Sequence, residues 1–302
     1  MKRRDRPAIG LALGSGSARG WAHIGVIRVL EEAGVVPDIV CGTSIGALVG
    51  GAYAAGELDR LEDWTRSLTW QSVVGFLDLS LDGGLIKGAK LIDFLRGNFE
   101  DRDIKRLDRK YGAVATELDT GREVWLTEGS LFESVRASIS LPGLFTPAQR
   151  EGRLLVDGGL VNPVPVSLAR ALGADVVIAV DLNADLVSRH ESTISGDDDA
   201  AKRPPATLLE RIQARIASVL TSGNKDEAPS LLDVLSASIN IMQVRVTRSR
   251  LAGEPADVVI APRLGRLALM DFHRADEAIE EGRRAAEREL SDLKSLIGDS
   301  FT

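Results

Sequence analysis

The chain has 302 residues, 44% of them hydrophobic and 27% charged, enough to bury a large core in one sizeable domain or two small ones. A formal net charge of −7 and an isoelectric point near 5.2 argue against nucleic acid as a partner, because phosphate binding needs a concentrated basic face. The single cysteine, Cys41, rules out an internal disulfide framework and fits a reducing compartment.

The basic residues of 1–6 precede an apolar stretch of only about seven residues, Ala8 to Gly14, and a glycine-rich loop follows where a signal peptide would have its cleavage site. No run approaches the roughly 20 apolar residues of a transmembrane helix. The expectation is a soluble, cytoplasmic protein whose acidity does not exclude local, peripheral contact with a membrane.

Ala8–Leu13 reads as a short buried strand, and Gly14-Ser15-Gly16-Ser17-Ala18-Arg19-Gly20 is the loop after it. Ile24, Ile27, Leu30 and Ala33 then recur at helical spacing, with Gly34 suited to a C-terminal cap. A second strand, Asp38 to Gly42, runs directly into Thr43-Ser44-Ile45-Gly46 and a small-residue helix. Strand, helix, strand, helix at this spacing opens a parallel α/β sheet. Amphipathic helices follow around Asp59–Leu68 and Ala89–Phe99, then a hairpin of Ala113–Leu118 and Glu123–Thr127 turning at Asp119-Thr120-Gly121. A helix near Leu131–Ile139 leads to a Leu141-Pro142-Gly143 turn. Arg153–Val156 forms a strand ending at Asp157-Gly158-Gly159, and Asp175–Val180 is apolar enough for a central strand.

From about Ser188 the composition turns polar, with Asp197-Asp198-Asp199 and Pro204-Pro205, and predicts a mobile insertion. Leu208, Leu209, Ile212, Ile216, Val219 and Leu220 then form a helical apolar stripe, which suits core packing, or a lid or membrane-contacting helix beside a cleft. Gly223–Ser230 is a second polar break. Helices around Leu231–Arg250 and Ala275–Leu293, with a strand Asp257–Ile260 between them, complete the chain. Asp271 looks like the N-cap of the last helix.

Gly42-Thr43-Ser44-Ile45-Gly46 matches G-x-S-x-G. In that pattern a serine sits on a tight strand-to-helix turn, and larger flanking side chains would collide with the backbone. A nucleophilic Ser44 needs an oxyanion site. The N–H of Ile45 is one candidate donor, and the glycine-rich loop supplies Gly14, Gly16 and Ser17, with Arg19 fixing the loop or the charge. The same loop could be read as a dinucleotide-binding turn. Its G-x-G-x-x-x-G spacing is one residue too long, and no acid ends the next strand.

Three histidines, His23, His190 and His273, compete with Asp157 for the role of general base. A carboxylate is a weak base at its reference pKa of about 3.9, but a dry cleft and a direct hydrogen bond change that. The order Ser44, then Asp157 or Asp181, then His273 also fits an α/β-hydrolase triad, although the elbow follows only one strand and one helix.

Taken together, these ordered motifs resemble the patatin-like phospholipase family, in its branch of small bacterial members. The glycine-rich loop resembles that family's oxyanion loop, and Gly42–Gly46 its nucleophile elbow. The segment Ser138-Ile139-Ser140-Leu141-Pro142-Gly143-Leu144-Phe145-Thr146-Pro147 resembles a stretch near its active site. Asp157-Gly158-Gly159 with Asn162 and Pro163 resembles its D-G-G/A motif. The resemblance runs from about Ile9 to Leu182 and resumes near Ile260–Ala286. Ser15 stands where many members have glycine.

The resemblance implies a three-layer α/β/α sandwich with a mostly parallel central sheet, one domain over 7–302 interrupted by the insertion and amphipathic helix at about 188–224. It implies a serine acyl hydrolase of phospholipase A, lysophospholipase or esterase type, in which Ser44 attacks an ester carbonyl and Asp157 takes its proton. Neither a cofactor nor a metal is implied, and the expected partner is a lipid or acyl-ester substrate. A non-catalytic lipid- or protein-binding regulator on the same fold is the rival, and exposed apolar helices leave a homo-oligomer open.

Overall fold

The computed structural model describes residues 6–76, 89–186 and 231–297. The expected insertion and amphipathic helix at 188–224 lie outside the described residues, as does His190.

Eight strands form one sheet. β1 (Ile9–Leu13) is central, flanked by β2 (Ile39–Thr43) and, from the far end of the chain, β7 (Val176–Val180), which pairs in turn with β8 (Val258–Ile260). All these pairings are parallel. β3 (Lys110–Glu117) runs parallel to β2, and β4 (Glu123–Leu126), β5 (Ala148–Arg150) and β6 (Arg153–Asp157) close that side with antiparallel pairings. The sheet is therefore mostly parallel with an antiparallel end.

Alternation along the strands builds a core on each face of the sheet. Ile9, Leu11 and Leu13 of β1, Val40 of β2 and Ile178 and Val180 of β7 face one layer, which contains α1 (Ala22–Glu32), α2 (Ile45–Ala54), α6 (Leu131–Ser138) and α9 (Ala275–Ile297). Ala12, Ile39, Cys41, Val177 and Ala179 face the other, covered by α7 (Val166–Ala171). A side-chain period of two with both faces apolar is what a strand buried on both sides requires. The expected three-layer arrangement is present.

The register of β3 positions the site. β2 pairs with Lys110–Val114 and β6 with Ala115–Glu117, while β4 overlaps both ranges and so occupies the opposite edge. β2 and β6 therefore lie end to end on one edge of β3. Thr43 sits opposite Val114 and Asp157 opposite the next residue, Ala115. Two segments more than 110 residues apart are brought head to head by adjacent pairing positions.

The helices α3 (Leu58–Ser67), α5 (Ala89–Asn98) and α8 (Leu231–Gly253) agree with the sequence pattern to within a few residues, and Gly34 ends α1 at φ 78°. Three short elements carried no readable signal: α4 (Trp70–Phe76), α7 and β5. One expectation is corrected. α9 begins at Ala275, so Asp271 is not its cap. Its carboxylate instead accepts from the Ala268 N–H at 3.0 Å and from Arg274 at 3.1 Å, closing a turn before the helix.

Candidate active site

The C-terminal ends of β1, β2, β6 and β7 converge on one edge of the sheet, where open α/β sheets bind ligands. Ser44 stands between β2 and α2 with φ 57° and ψ −125°, a conformation that a non-glycine residue adopts only when its surroundings enforce it. The flanking glycines show what enforces it. A Cβ on Gly42 would lie 2.3 Å from the Gly46 carbonyl oxygen, and one on Gly46 would lie 2.2 Å from the Leu13 oxygen. The Ser44 N–H donates to Ser138 Oγ at 2.9 Å, and that hydroxyl donates to the Val114 carbonyl at 2.6 Å. Ser138 thus ties the elbow to β3.

Ser44 Oγ donates to Asp157 Oδ2 at 2.6 Å, and Asp157 Oδ1 accepts from the Gly159 N–H at 2.7 Å. The backbone of Asp157 is held at both ends: its N–H donates to Ser140 O at 2.9 Å, and its carbonyl accepts from Thr116 Oγ1 at 2.8 Å. Burial pushes the Asp157 carboxyl up to about 6, and the bonds from Ser44 and Gly159 oppose that rise without cancelling it. A carboxylate of that basicity, in direct contact with the hydroxyl, is far better matched to general-base work than an exposed one.

None of the described histidines reaches Ser44 Oγ. His23 is fully buried and donates from Nε2 to the Gly14 carbonyl at 2.8 Å; burial lowers its pKa to about 4, so it stays neutral. The His273 ring packs edge-on against Trp70 at 5.5 Å and does not line the cleft. Asp181 lies beyond the loop, where its carboxylate accepts from the Asn183 N–H at 2.9 Å and faces Arg19. The triad through His273 is not assembled.

The glycine-rich loop divides the oxyanion candidates. The Gly14 N–H is spent on the Val180 carbonyl at 3.0 Å, the strand-end bond that continues the β1–β7 ladder, so Gly14 is not a donor to the cleft. The N–H groups of Gly16, Ser17 and Ile45 have no acceptor among the described residues, and all three residues line the cleft beside Ser44. Ser17 takes φ 53°, held by its hydroxyl bond to Leu269 O at 2.6 Å. Arg19 does not face the cleft. Its Nε donates to Gly16 O at 3.1 Å and its Nη2 to Asn240 Oδ1 at 3.2 Å, so it braces the loop from behind. Burial lowers its pKa to about 10, against the opposing pull of Asp181, and it remains charged at neutral pH.

Above Ser44 and Asp157 opens a cavity of about 120 Å³. Its walls are mainly apolar: Leu48, Leu68, Ile139, Phe145 and an edge-packed aromatic group of Trp21 with Trp64 and Phe272, centroids 6.0 and 5.9 Å apart. α8 forms a further wall with Ile239, Asn240 and Gln243. Among the described residues no three His, Cys, Asp or Glu side chains converge as metal ligands.

A family model described as "Patatin-like phospholipase" matches residues 11–170, more than half of the chain. The chain belongs to the patatin-like phospholipase family. Among its relatives is an uncharacterised NTE family protein of Mycobacterium tuberculosis, 35% identical over 94% of this chain and 91% of that one. The lysophospholipase nte1 of Emericella nidulans is 30% identical over 95% of this chain, which corresponds to only 18% of that longer protein. Among solved structures, VipD from Legionella pneumophila aligns with a TM-score of 0.49 at 14% identity, over 96% of this chain and 67% of that one.

In this patatin-like phospholipase the loop, the elbow, Asp157 and the wall segment around Ile139 and Phe145 were all visible as sequence motifs, whereas the wall that α8 supplies was not. Ser138 carried no assigned role, and Asn240 and Gln243 read as ordinary polar positions of a helix. One signal was available. Gln243 and Thr247 are polar yet lie one turn apart on the face of α8 that also buries Val244. A polar side chain on the buried face of a helix needs a partner, and for Gln243 the partner is the glycine-rich loop, through Ser15 Oγ at 3.1 Å.

Proposed function

We propose that this chain is a serine acyl hydrolase acting on acyl esters of lipids through Ser44 and Asp157. The observation that carries this reading is the 2.6 Å bond between Ser44 Oγ and Asp157 Oδ2 at the base of an apolar cavity. As Ser44 Oγ attacks the acyl carbonyl, its proton passes to Asp157, and the charge on the carbonyl oxygen falls to the N–H groups of Gly16, Ser17 and Ile45. Collapse of the tetrahedral species breaks the ester C–O bond. Asp157 returns its proton to the departing alcohol, leaving the acyl group on Ser44. Asp157 then takes a proton from water as the water oxygen attacks that acyl carbon, and the fatty acid leaves with Ser44 reprotonated. The sum is ester plus water giving acid plus alcohol. The lysophospholipase name of the Emericella nidulans relative supports a lipid ester as substrate.

The outer face of α8 supports contact with a lipid surface. Val234, Ile241 and Met242 are exposed there on one side of the helix, and Leu235, one turn before the cavity-lining Ile239, is exposed at its border. The dyad is tested by p-nitrophenyl ester hydrolysis. Ser44→Ala and Asp157→Ala are each expected to lose at least about 10³-fold in kcat/KM, as removal of a nucleophile or its base does. His273→Ala is expected to stay near wild type. Equal loss in a folded His273→Ala protein would restore the triad, and an active Ser44→Ala protein would end the reading.

A further inference from the structure

Two amides stand out on the cavity face of α8, Asn240 and Gln243, three residues apart and therefore neighbours on the helix surface. The oxygen of each is engaged from behind. A guanidinium can only donate, so the atom that faces Arg19 Nη2 at 3.2 Å must be Asn240 Oδ1, and its NH2 group points elsewhere. The orientation of Gln243 follows from a backbone carbonyl. Ser15 O accepts from Asn183 Nδ2 at 3.2 Å, which identifies that group as the donor end of Asn183. The same NH2 group lies 3.3 Å from Gln243, so the atom it meets is Oε1, and Ser15 Oγ donates to that oxygen as well at 3.1 Å. The Gln243 NH2 group is thereby turned toward the D-G-G motif. A Cβ placed on Gly159 would lie 2.4 Å from Gln243 Nε2 and 3.0 Å from Asp157 Oδ1.

Neither NH2 group has an acceptor among the described residues, although Gln243 is only 5% exposed. A donor that opens into an apolar cleft has no wall acceptor and is matched by water or by an acceptor that a ligand brings. We infer that Asn240 and Gln243 form a two-amide subsite for acceptor oxygens on the alcohol side of the ester. The inference rests on the acyl-hydrolase reading above for what the cleft contains. The apolar walls suit the acyl chain and leave no acceptor for these donors, so the polar part of the substrate is what they can bind. The alcohol receives its proton from Asp157, next to which Gln243 Nε2 lies, so the alcohol moiety leaves past that donor. Neutral amides serve a glycerol hydroxyl and a phosphodiester oxygen alike, and both present the same acceptor chemistry. Ser15 is a positioning residue in this scheme, because its hydroxyl and its carbonyl both set the Gln243 amide.

The test is binding in the Ser44→Ala protein, which separates the subsite from turnover. Three non-hydrolysable probes share one chain: octyl ethyl ether, 1-O-octylglycerol and 1-O-octylglycero-3-phosphocholine. The fluorescence of Trp21 and Trp64 in the cavity wall reports occupancy. Gln243→Leu is expected to reduce the affinity for the two oxygen-rich probes, relative to the ethyl ether, by about tenfold, the loss of one or two hydrogen bonds. Asn240→Leu shifts the same ratio in the same direction. Ser15→Ala, which leaves the helix untouched, gives a smaller shift and keeps the test open if a leucine variant fails to fold. The glycerol and phosphocholine arms show which source of oxygen is read, by whichever ratio falls further. Unchanged ratios, equal weakening of all three probes, or no binding of any probe overturns the subsite. A shifted ratio in a protein whose wild type cleaves no acyl ester would leave the subsite standing and remove the catalytic reading alone.

Discussion

The stretch from β1 to α2 and the helix α8 form two sides of the same cleft, and they are built on opposite terms. From Ile9 to Ala54 most side chains are buried, and backbone meets backbone at Gly42 and Gly46 with no room for a methyl group. α8 meets the cleft with one face only. Its inner face carries Ile239, Asn240 and Gln243, and its outer face leaves Ile241 62% exposed. The difference teaches where precision resides. Groups that must be placed to a fraction of an ångström are set by main-chain contacts in a close-packed layer, whereas groups that read a ligand stand on a surface helix that can change without disturbing the sheet.

The sharpest way to break that contrast is Gly46→Ala. Its new Cβ would fall 2.2 Å from Leu13 O and 2.7 Å from Gly14 O, both backbone atoms that cannot move aside. The expected loss is on the order of 3 kcal/mol or more, with activity gone, measured by denaturant unfolding. An active Gly46→Ala protein of near-native stability would show that the elbow is not rigid.

Asp157→Asn separates stability from chemistry within the rigid side. The carboxyl titrates at about 6 in the folded chain, above its ordinary 3.8, so the folded state binds this proton more tightly than the unfolded chain does. Stability contributed by the protonated form is complete below 3.8 and is lost as the pH rises to 6. Above that the charged carboxylate is a constant burden on the order of 2–3 kcal/mol. The asparagine variant is therefore expected to lose activity yet melt higher than wild type at pH 7.5, with the gain vanishing near pH 4. Wild-type kcat/KM is expected to rise with pH through an apparent pKa near 6. A melting gain that is the same at both pH values would locate its cause elsewhere.

The smallest effect on stability is expected on the outer face of α8. Ile241→Ser with Met242→Ser should change unfolding free energy by no more than about 0.5 kcal/mol, as exposed positions do. Sedimentation with phospholipid vesicles should show a severalfold smaller bound fraction if this face meets lipid. An unchanged bound fraction would leave that face without a lipid role.

The sequence by itself determined a large part of this molecule. Apolar runs such as Val176–Val180, bounded by turn residues, specify buried parallel strands because only a strand covered on both faces tolerates such continuity. The elbow was legible because its chemistry is local: a strained serine needs small neighbours within two residues, and Gly42 and Gly46 are those neighbours. Asp157 was legible as part of a motif, and its role as base came from the family resemblance, since the residues alone left His273 in competition with it.

What the tertiary structure decided are the relations between segments far apart in the chain. The end-to-end meeting of β2 and β6 on β3 chose Asp157 over His273 as the group beside Ser44, and burial moved its pKa toward neutrality. The ladder bond to Val180 removed Gly14 from the oxyanion donors, a consequence of β7 pairing that no local pattern encodes. Asn240 and Gln243 took on meaning only when α8 came to rest against the glycine-rich loop, more than 220 residues earlier. Periodicity and turn chemistry act over a few residues and can be read directly. Which atoms meet across a cleft depends on register and burial, and those exist only once the whole sheet is assembled.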